Sequence, residues 1–102
     1  MLIKKLKEGN SLIGLNDSRL MRGGFVVLKT GEEVGKHTTK HKEEVIVILE
    51  GTAKVVCENK ERIVRERYLI YIPENSEHNV INVGNKPLKY VYITASLDAP
   101  IK

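Results

Sequence analysis

The side chains best suited to chemistry in this sequence are three histidines, His37, His41 and His78, each with a carboxylate close by along the chain. The first two lie in Gly31-Glu32-Glu33-Val34-Gly35-Lys36-His37-Thr38-Thr39-Lys40-His41-Lys42-Glu43-Glu44, the third in Pro73-Glu74-Asn75-Ser76-Glu77-His78-Asn79-Val80-Ile81-Asn82. Imidazole nitrogen with carboxylate oxygen suits divalent Fe, Mn, Ni, Zn or Cu, and two His plus one carboxylate leave coordination positions open for a substrate. His37, His41, Glu44 and His78 are therefore the candidate ligands of a divalent transition metal. An ion held there would polarise a carbonyl or activate oxygen or water on a small molecule. The competing arrangement is a metal-free interior in which His37, Glu44 and His78 hydrogen-bond to one another.

A hairpin is the simplest device for assembling the first cluster. If His37 ends one strand and Glu44 begins the next, antiparallel return brings them opposite each other, about 4.5 to 5.5 Å apart at Cβ. His78 must then arrive through the fold. His41 is ambiguous, because four steps along a straight strand would hold it roughly 13 Å from His37. It joins the set only if the chain turns between them. A helical His-Glu-x-x-His metalloprotease site is excluded, since Thr38 follows the first His and Thr38-Thr39 disfavours helix. Lys36, Lys40 and Lys42 either rim the site's mouth, where they would attract an anionic substrate, or are a solvated hairpin face.

The elements that must position these residues read as strands. Stretches rich in Val, Ile and Tyr occupy residues 12–15, 25–29, 45–49, 53–57, 62–64, 68–72, 80–83 and 88–94. Turn chemistry separates them at Gly23-Gly24, Gly31, Gly51, Asn59-Lys60, Pro73-Glu74-Asn75 and Gly84-Asn85-Lys86-Pro87. Many short strands at such spacing argue for an antiparallel sandwich or barrel forming a single domain, with a core from about residue 11 to 96 and short terminal arms. Residues 45–49 and 68–72 are apolar on both parities, so both of their faces should be covered, one by the interior and the other by a second layer or a partner chain. A homodimer is expected on this ground.

Hydrophobic residues make up 41% of the 102 and charged residues 29%, a globular balance. No apolar run approaches the roughly 18 residues of a membrane span, and no signal-peptide pattern opens the chain, so a cytoplasmic protein without membrane contacts is expected. Cys57 is the only cysteine, which excludes internal disulfides and Cys-rich zinc fingers. The net charge of +4 comes without an Arg-rich stripe interleaved with aromatics, so nucleic acid is not expected as a partner.

The two histidine segments resemble the two motifs of the cupin superfamily. The first motif runs Gly, five residues, His, one residue, His, three or four residues, Glu, six residues, Gly; Gly31, His37, Glu44 and Gly51 fall in place. The second runs Gly, five residues, Pro, one residue, Gly, two residues, His, three residues, Asn; Pro73, His78 and Asn82 match. Thr39 stands where the family has its second His, and Arg67 and Asn75 stand where it has glycines. The resemblance implies an all-β, double-stranded β-helix (jelly-roll) barrel with a divalent metal in its lumen and dioxygenase- or isomerase-type chemistry on a small molecule. The alternative that it leaves open is a non-catalytic small-molecule-binding or sensor cupin without bound metal. Replacing His78 by Ala is expected to abolish any metal response while leaving the metal-free protein folded.

Overall fold

Between residues 42 and 50 the side chains alternate between two environments, as a strand's period of two requires. Glu44, Ile46 and Ile48 are buried, and Glu43, Val45 and Val47 are half-buried on the other face. In a computed structural model that describes residues 1–98, this alternation recurs through nine strands: β1 (Gly9–Ile13), β2 (Met21–Leu28), β3 (His37–Thr38), β4 (Lys42–Glu50), β5 (Thr52–Cys57), β6 (Lys60–Arg65), β7 (Leu69–Ile72), β8 (Glu77–Asn82) and β9 (Leu88–Ser96). They form a five-stranded sheet ordered β1-β2-β9-β4-β7 and a four-stranded sheet ordered β3-β8-β5-β6. All pairings are antiparallel. The two sheets make the expected jelly-roll barrel. The described residues contain no helix, hence none long and apolar enough to cross a membrane.

Ile46, Ile48, Ile72, Val80, Leu88 and Tyr90 fill the interior between the sheets. Each aliphatic side chain so buried contributes about 1.5–3 kcal/mol. Tight turns follow the residue types: the β5–β6 hairpin turns through Glu58 and Asn59, both at positive φ, as a two-residue hairpin turn demands. Gly51, between β4 and β5, has φ +94°, and a Cβ there would sit 3.0 Å from Leu88 Cα and Pro87 O.

Two expectations need correction. Gly23-Gly24 is not a turn but the middle of β2. A Cβ on Gly23 would lie 2.9 Å from Tyr92 O, and one on Gly24 2.6 Å from Gly9 O and 2.7 Å from the Tyr92 ring. These glycines exist for close approach of strand to strand, which the sequence does not distinguish from turn chemistry. The first strand also begins earlier than residue 12, at Gly9.

The residues that replace motif glycines take the backbone shape that the glycines would. Arg67 has φ 72° and Asn75 φ 59°, and both are exposed. A left-handed residue with a Cβ costs roughly 1–2 kcal/mol, whereas glycine forfeits about 0.5–1 kcal/mol of chain entropy. Arg67→Gly is therefore expected to raise unfolding free energy by up to about 1 kcal/mol in urea titrations, and Asn75→Gly by less, because Asn tolerates this region.

Candidate metal centre

Residues 31–39 run antiparallel along β8, although only two of them form a regular strand. Gly31 N donates to Asn82 O, Asn82 N to Glu32 O, Val34 N to Val80 O, and Thr39 N to Ser76 O. Gly35 N donates to the Asn79 side chain at 2.8 Å. This run sets the register in which His37 lies directly opposite His78. The two rings have centroids 4.1 Å apart and planes inclined at 56°.

Glu44 reaches the same place from the other sheet. It faces inward from β4, and its Oε1 lies 3.1 Å from His78 Nε2. The expected hairpin pairing of His37 with Glu44 is thus not what unites them: His37 belongs to the sheet of β8, and Glu44 pairs with Ile72 and Thr94 in the facing sheet. The donor atoms of His37, Glu44 and His78 lie within 4.8 Å of one another. Donors around a tetrahedral ion sit about 3.4 Å apart for bonds near 2.1 Å, so the set is within reach of closing on one.

Backbone carbonyls fix both imidazoles. His37 Nδ1 meets Gly35 O at 2.9 Å, and His78 Nδ1 meets Ser76 O at 3.0 Å. A carbonyl only accepts, so each Nδ1 carries a proton and each Nε2 is the remaining ligand atom. This is the support that metal-binding imidazoles require. Burial lowers the basicity of His78, but the Glu44 hydrogen bond, the Ser76 carbonyl and the Glu44 charge outweigh it, leaving the pKa raised. A cation, proton or metal, is favoured between His78 Nε2 and Glu44.

His41 does not join the three. It occupies the turn before β4 at φ 57°, with Nδ1 3.8 Å from Asp98 Oδ1 and its side chain largely in solvent. The chain does turn between His37 and His41, but outward. Thr39, at the position of the family's second His, is fully buried and serves the fold: its Oγ1 donates to Pro73 O at 2.6 Å and accepts from Ser76 N at 3.0 Å. Asn82 is likewise structural, its amide nitrogen bonding Leu28 O and Lys86 O and its oxygen accepting from Gly84 N.

The three candidate ligands open into a chamber of about 290 Å³ lined otherwise by Val26, Val34, Ile46, Val80, Tyr90 and Tyr92, with Asn10, Lys42 and Thr94 toward its polar side. Tyr90 and Tyr92 read from sequence as core or interface aromatics, and only their inward parity on β9 reveals their place. Burial first, and then the Glu44 charge, raises both phenol pKa values, so both hydroxyls stay protonated. Tyr92 donates to Asn10 Oδ1 at 2.8 Å and so tethers β1 over the chamber.

A jelly-roll barrel in which a His, a Glu and a His converge at the lumen is the architecture that the two motifs imply. The sequence profile of the cupin domain matches residues 24–94, and the chain belongs to that family. Among curated relatives, it is 31% identical over 68 residues to a putative mannose-1-phosphate guanylyltransferase of Vibrio cholerae, a match covering 67% of this chain and 15% of the relative. It is 31% identical over 84 residues to the alginate biosynthesis protein AlgA of Pseudomonas aeruginosa, covering 78% of this chain and 18% of that protein. An uncharacterized protein of Methanocaldococcus jannaschii is 40% identical over 60 residues, 55% of this chain and 48% of its own. The chain thus spans less than a fifth of the two named relatives. In structure, a cupin protein of Bacteroides fragilis superimposes with a TM-score of 0.82 at 12% identity over 100% of this chain and 88% of its own, which bears on the fold alone.

The role of Thr39 is testable apart from any ligand. Thr39→Val strands a buried N–H and a carbonyl, each worth about 1–3 kcal/mol, so chemical denaturation should show a loss of about 2 kcal/mol or more. Thr39→Ser, which keeps the hydroxyl, should lose less.

Proposed function

We propose that this cupin binds a divalent transition metal through His37, Glu44 and His78 and uses it to hold a small organic molecule in the barrel lumen. One observation carries the reading: both Nδ1 atoms are committed to backbone carbonyls, so the two Nε2 atoms and the Glu44 carboxylate are the groups left to converge on an ion, which would replace the proton that His78 Nε2 shares with Glu44. A metal bound there would supply a Lewis acid. The chain's own part is to keep the imidazoles in one tautomer, to exclude water with Val26, Ile46 and Val80, and to present the protonated Tyr90 and Tyr92 hydroxyls.

A second reading, binding without turnover, is supported by the chamber's composition. Apart from the three ligands, its described lining offers no carboxylate or imidazole to act as a base.

We also propose a homodimer through the outer face of the five-stranded sheet. Phe25, Val91, Val47 and Leu69 form one cross-strand row on that face, and Gly23, Ile93, Val45 and Tyr71 form the next. Leu69 and Tyr71 are more than half exposed. Two adjacent rows without a charge are what a second copy would cover. Light scattering should give twice 11.5 kDa, and Val47→Lys should return the mass to that of one chain.

Metal binding should appear in thermal melts of tag-free protein. Ligand at about 100 times its dissociation constant stabilises by roughly 2.7 kcal/mol. His78 is not the residue to remove, contrary to the sequence-based expectation: it is buried, and its loss leaves the Glu44 carboxylate without its partner. His37 is exposed, so His37→Ala should change the metal-free stability by only about 0.5 kcal/mol while abolishing most of the metal-induced shift. If none of Fe, Mn, Co, Ni, Cu and Zn raises the melting temperature of the wild type, the metal reading fails.

A further inference from the structure

The chamber is not the end of the lumen. Beside it opens a pocket of about 390 Å³ lined by Arg19, Arg22, Lys40 and Lys42, and Lys42, Tyr92 and Thr94 line both spaces. The strand register shows how the two connect. On the lumen face of the five-stranded sheet, Val26, Tyr90 and Ile48 form one row and Gly24, Tyr92 and Ile46 the next. Arg22, Thr94 and Glu44 form the third, and Ser96 with Lys42 the fourth. Arg22 therefore stands in the same row as the candidate ligand Glu44, two strands or about 9.5 Å away at the backbone. Lys42 stands one row nearer the mouth and lines both spaces.

These cations are not spent on the fold's own carboxylates. Among the described residues, none of Arg19, Arg22, Lys40 and Lys42 forms an ion pair, and the pocket's acidic lining residue, Asp98, faces His41. Arg22 is half-buried, and its guanidinium is held by the carbonyls of Ser18 and Met21 at 2.8 and 2.6 Å. Two neutral carbonyls orient this fork without neutralising it, and its other N–H groups remain to donate. The chamber behind has its polar groups at the candidate ligands, Asn10, Lys42, Thr94 and the tyrosine hydroxyls, and aliphatic walls at Val26, Val34, Ile46 and Val80. Hydroxyls of a polyhydroxylated body that face those walls would be unsatisfied, at a cost for each, whereas an apolar body suits them.

We propose that the pocket is the anion-binding half of the ligand site, so that the ligand class is a small phosphate monoester with an apolar aryl or alkyl body. The phosphate sits among Arg19, Arg22, Lys40 and Lys42, and the body reaches into the chamber. Four cations match a phosphate, at −1.5 to −2 near neutral pH, better than a single carboxylate. This assignment rests on the lumen reading above, but the anion half does not require the metal.

Calorimetric titration of metal-free and metal-supplemented protein with phenyl phosphate, inorganic phosphate, benzoate and mannose 1-phosphate tests it. Phenyl phosphate should bind most tightly, and its affinity should fall as salt rises. Arg22→Ser and, separately, Lys42→Met should each weaken it by about tenfold or more. Arg62→Ser on β6, outside both spaces, should leave it unchanged. Binding of phenyl phosphate without any metal response leaves this proposal standing and removes the metal reading. A metal response with no phenyl phosphate binding does the reverse. Equal or tighter binding of inorganic phosphate, benzoate or mannose 1-phosphate overturns the ligand class, and Arg22 and Lys42 variants that bind like wild type overturn the site.

Discussion

The antiparallel run of residues 31–39 along β8 is the constraint on which the centre depends. It is held mostly by backbone hydrogen bonds, from Gly31 N on Asn82 O to Thr39 N on Ser76 O, and it fixes His37 opposite His78 without asking anything of either imidazole. The side chains are then free to turn their Nε2 atoms inward while backbone carbonyls hold Nδ1. Thr39 locks the far end of the run by bonding Pro73 O and Ser76 N across to the β7–β8 loop. The residue at the family's second histidine position thus anchors the strand that carries the first.

Glu44 ties this arrangement to the other sheet. A carboxylate buried at that depth needs a donor or a cation, because an uncompensated charge in the interior is costly. His78 Nε2 is its nearest partner, so the contact bridges β4 and β8 across the barrel. A proton on His78, whose pKa the Glu44 contact helps to raise, and the metal proposed for the site would satisfy the same electrostatic demand.

The strands around residues 45–49 and 88–94 were legible in the sequence because each is a run rich in Val, Ile and Tyr bounded by turn residues. The segment holding His37 was not, since Glu32, Glu33 and Lys36 are exposed and its pairing runs through the backbone and the Asn79 side chain rather than through an apolar face. The motif spacing identified His37, Glu44 and His78, yet local geometry suggested the wrong route, a hairpin, for bringing the first two together. His41 could not be placed from spacing, because a turn can swing a side chain either way; here the left-handed residue and the bond from Leu97 N to its carbonyl send it outward. Arg22 was illegible as a lumen residue for a different reason, and Lys42 read either as a rim of the mouth or as a solvated hairpin face. Charged residues near a glycine pair or a hairpin look like solvated surface until the register shows that their parity is inward.

That parity couples the two faces of the five-stranded sheet. Along β4 the inward set is Lys42, Glu44, Ile46 and Ile48, and the outward set includes Val45 and Val47. A slip of one residue would exchange the sets, since the side-chain period is two. It would place Val45 where Glu44 meets His78 and expose the candidate ligand on the outer surface. The site and the apolar outer face are therefore consequences of one register. The lumen rows also run from uncharged at Val26, Tyr90 and Ile48 to charged at Arg22, Glu44 and Lys42. Charge is confined to the rows nearest the mouth, where water and ligands enter and desolvation is least severe. Closing the far end with aliphatic side chains lets the barrel supply its own core, so that the mouth can carry a cluster of charges too costly to bury deeper.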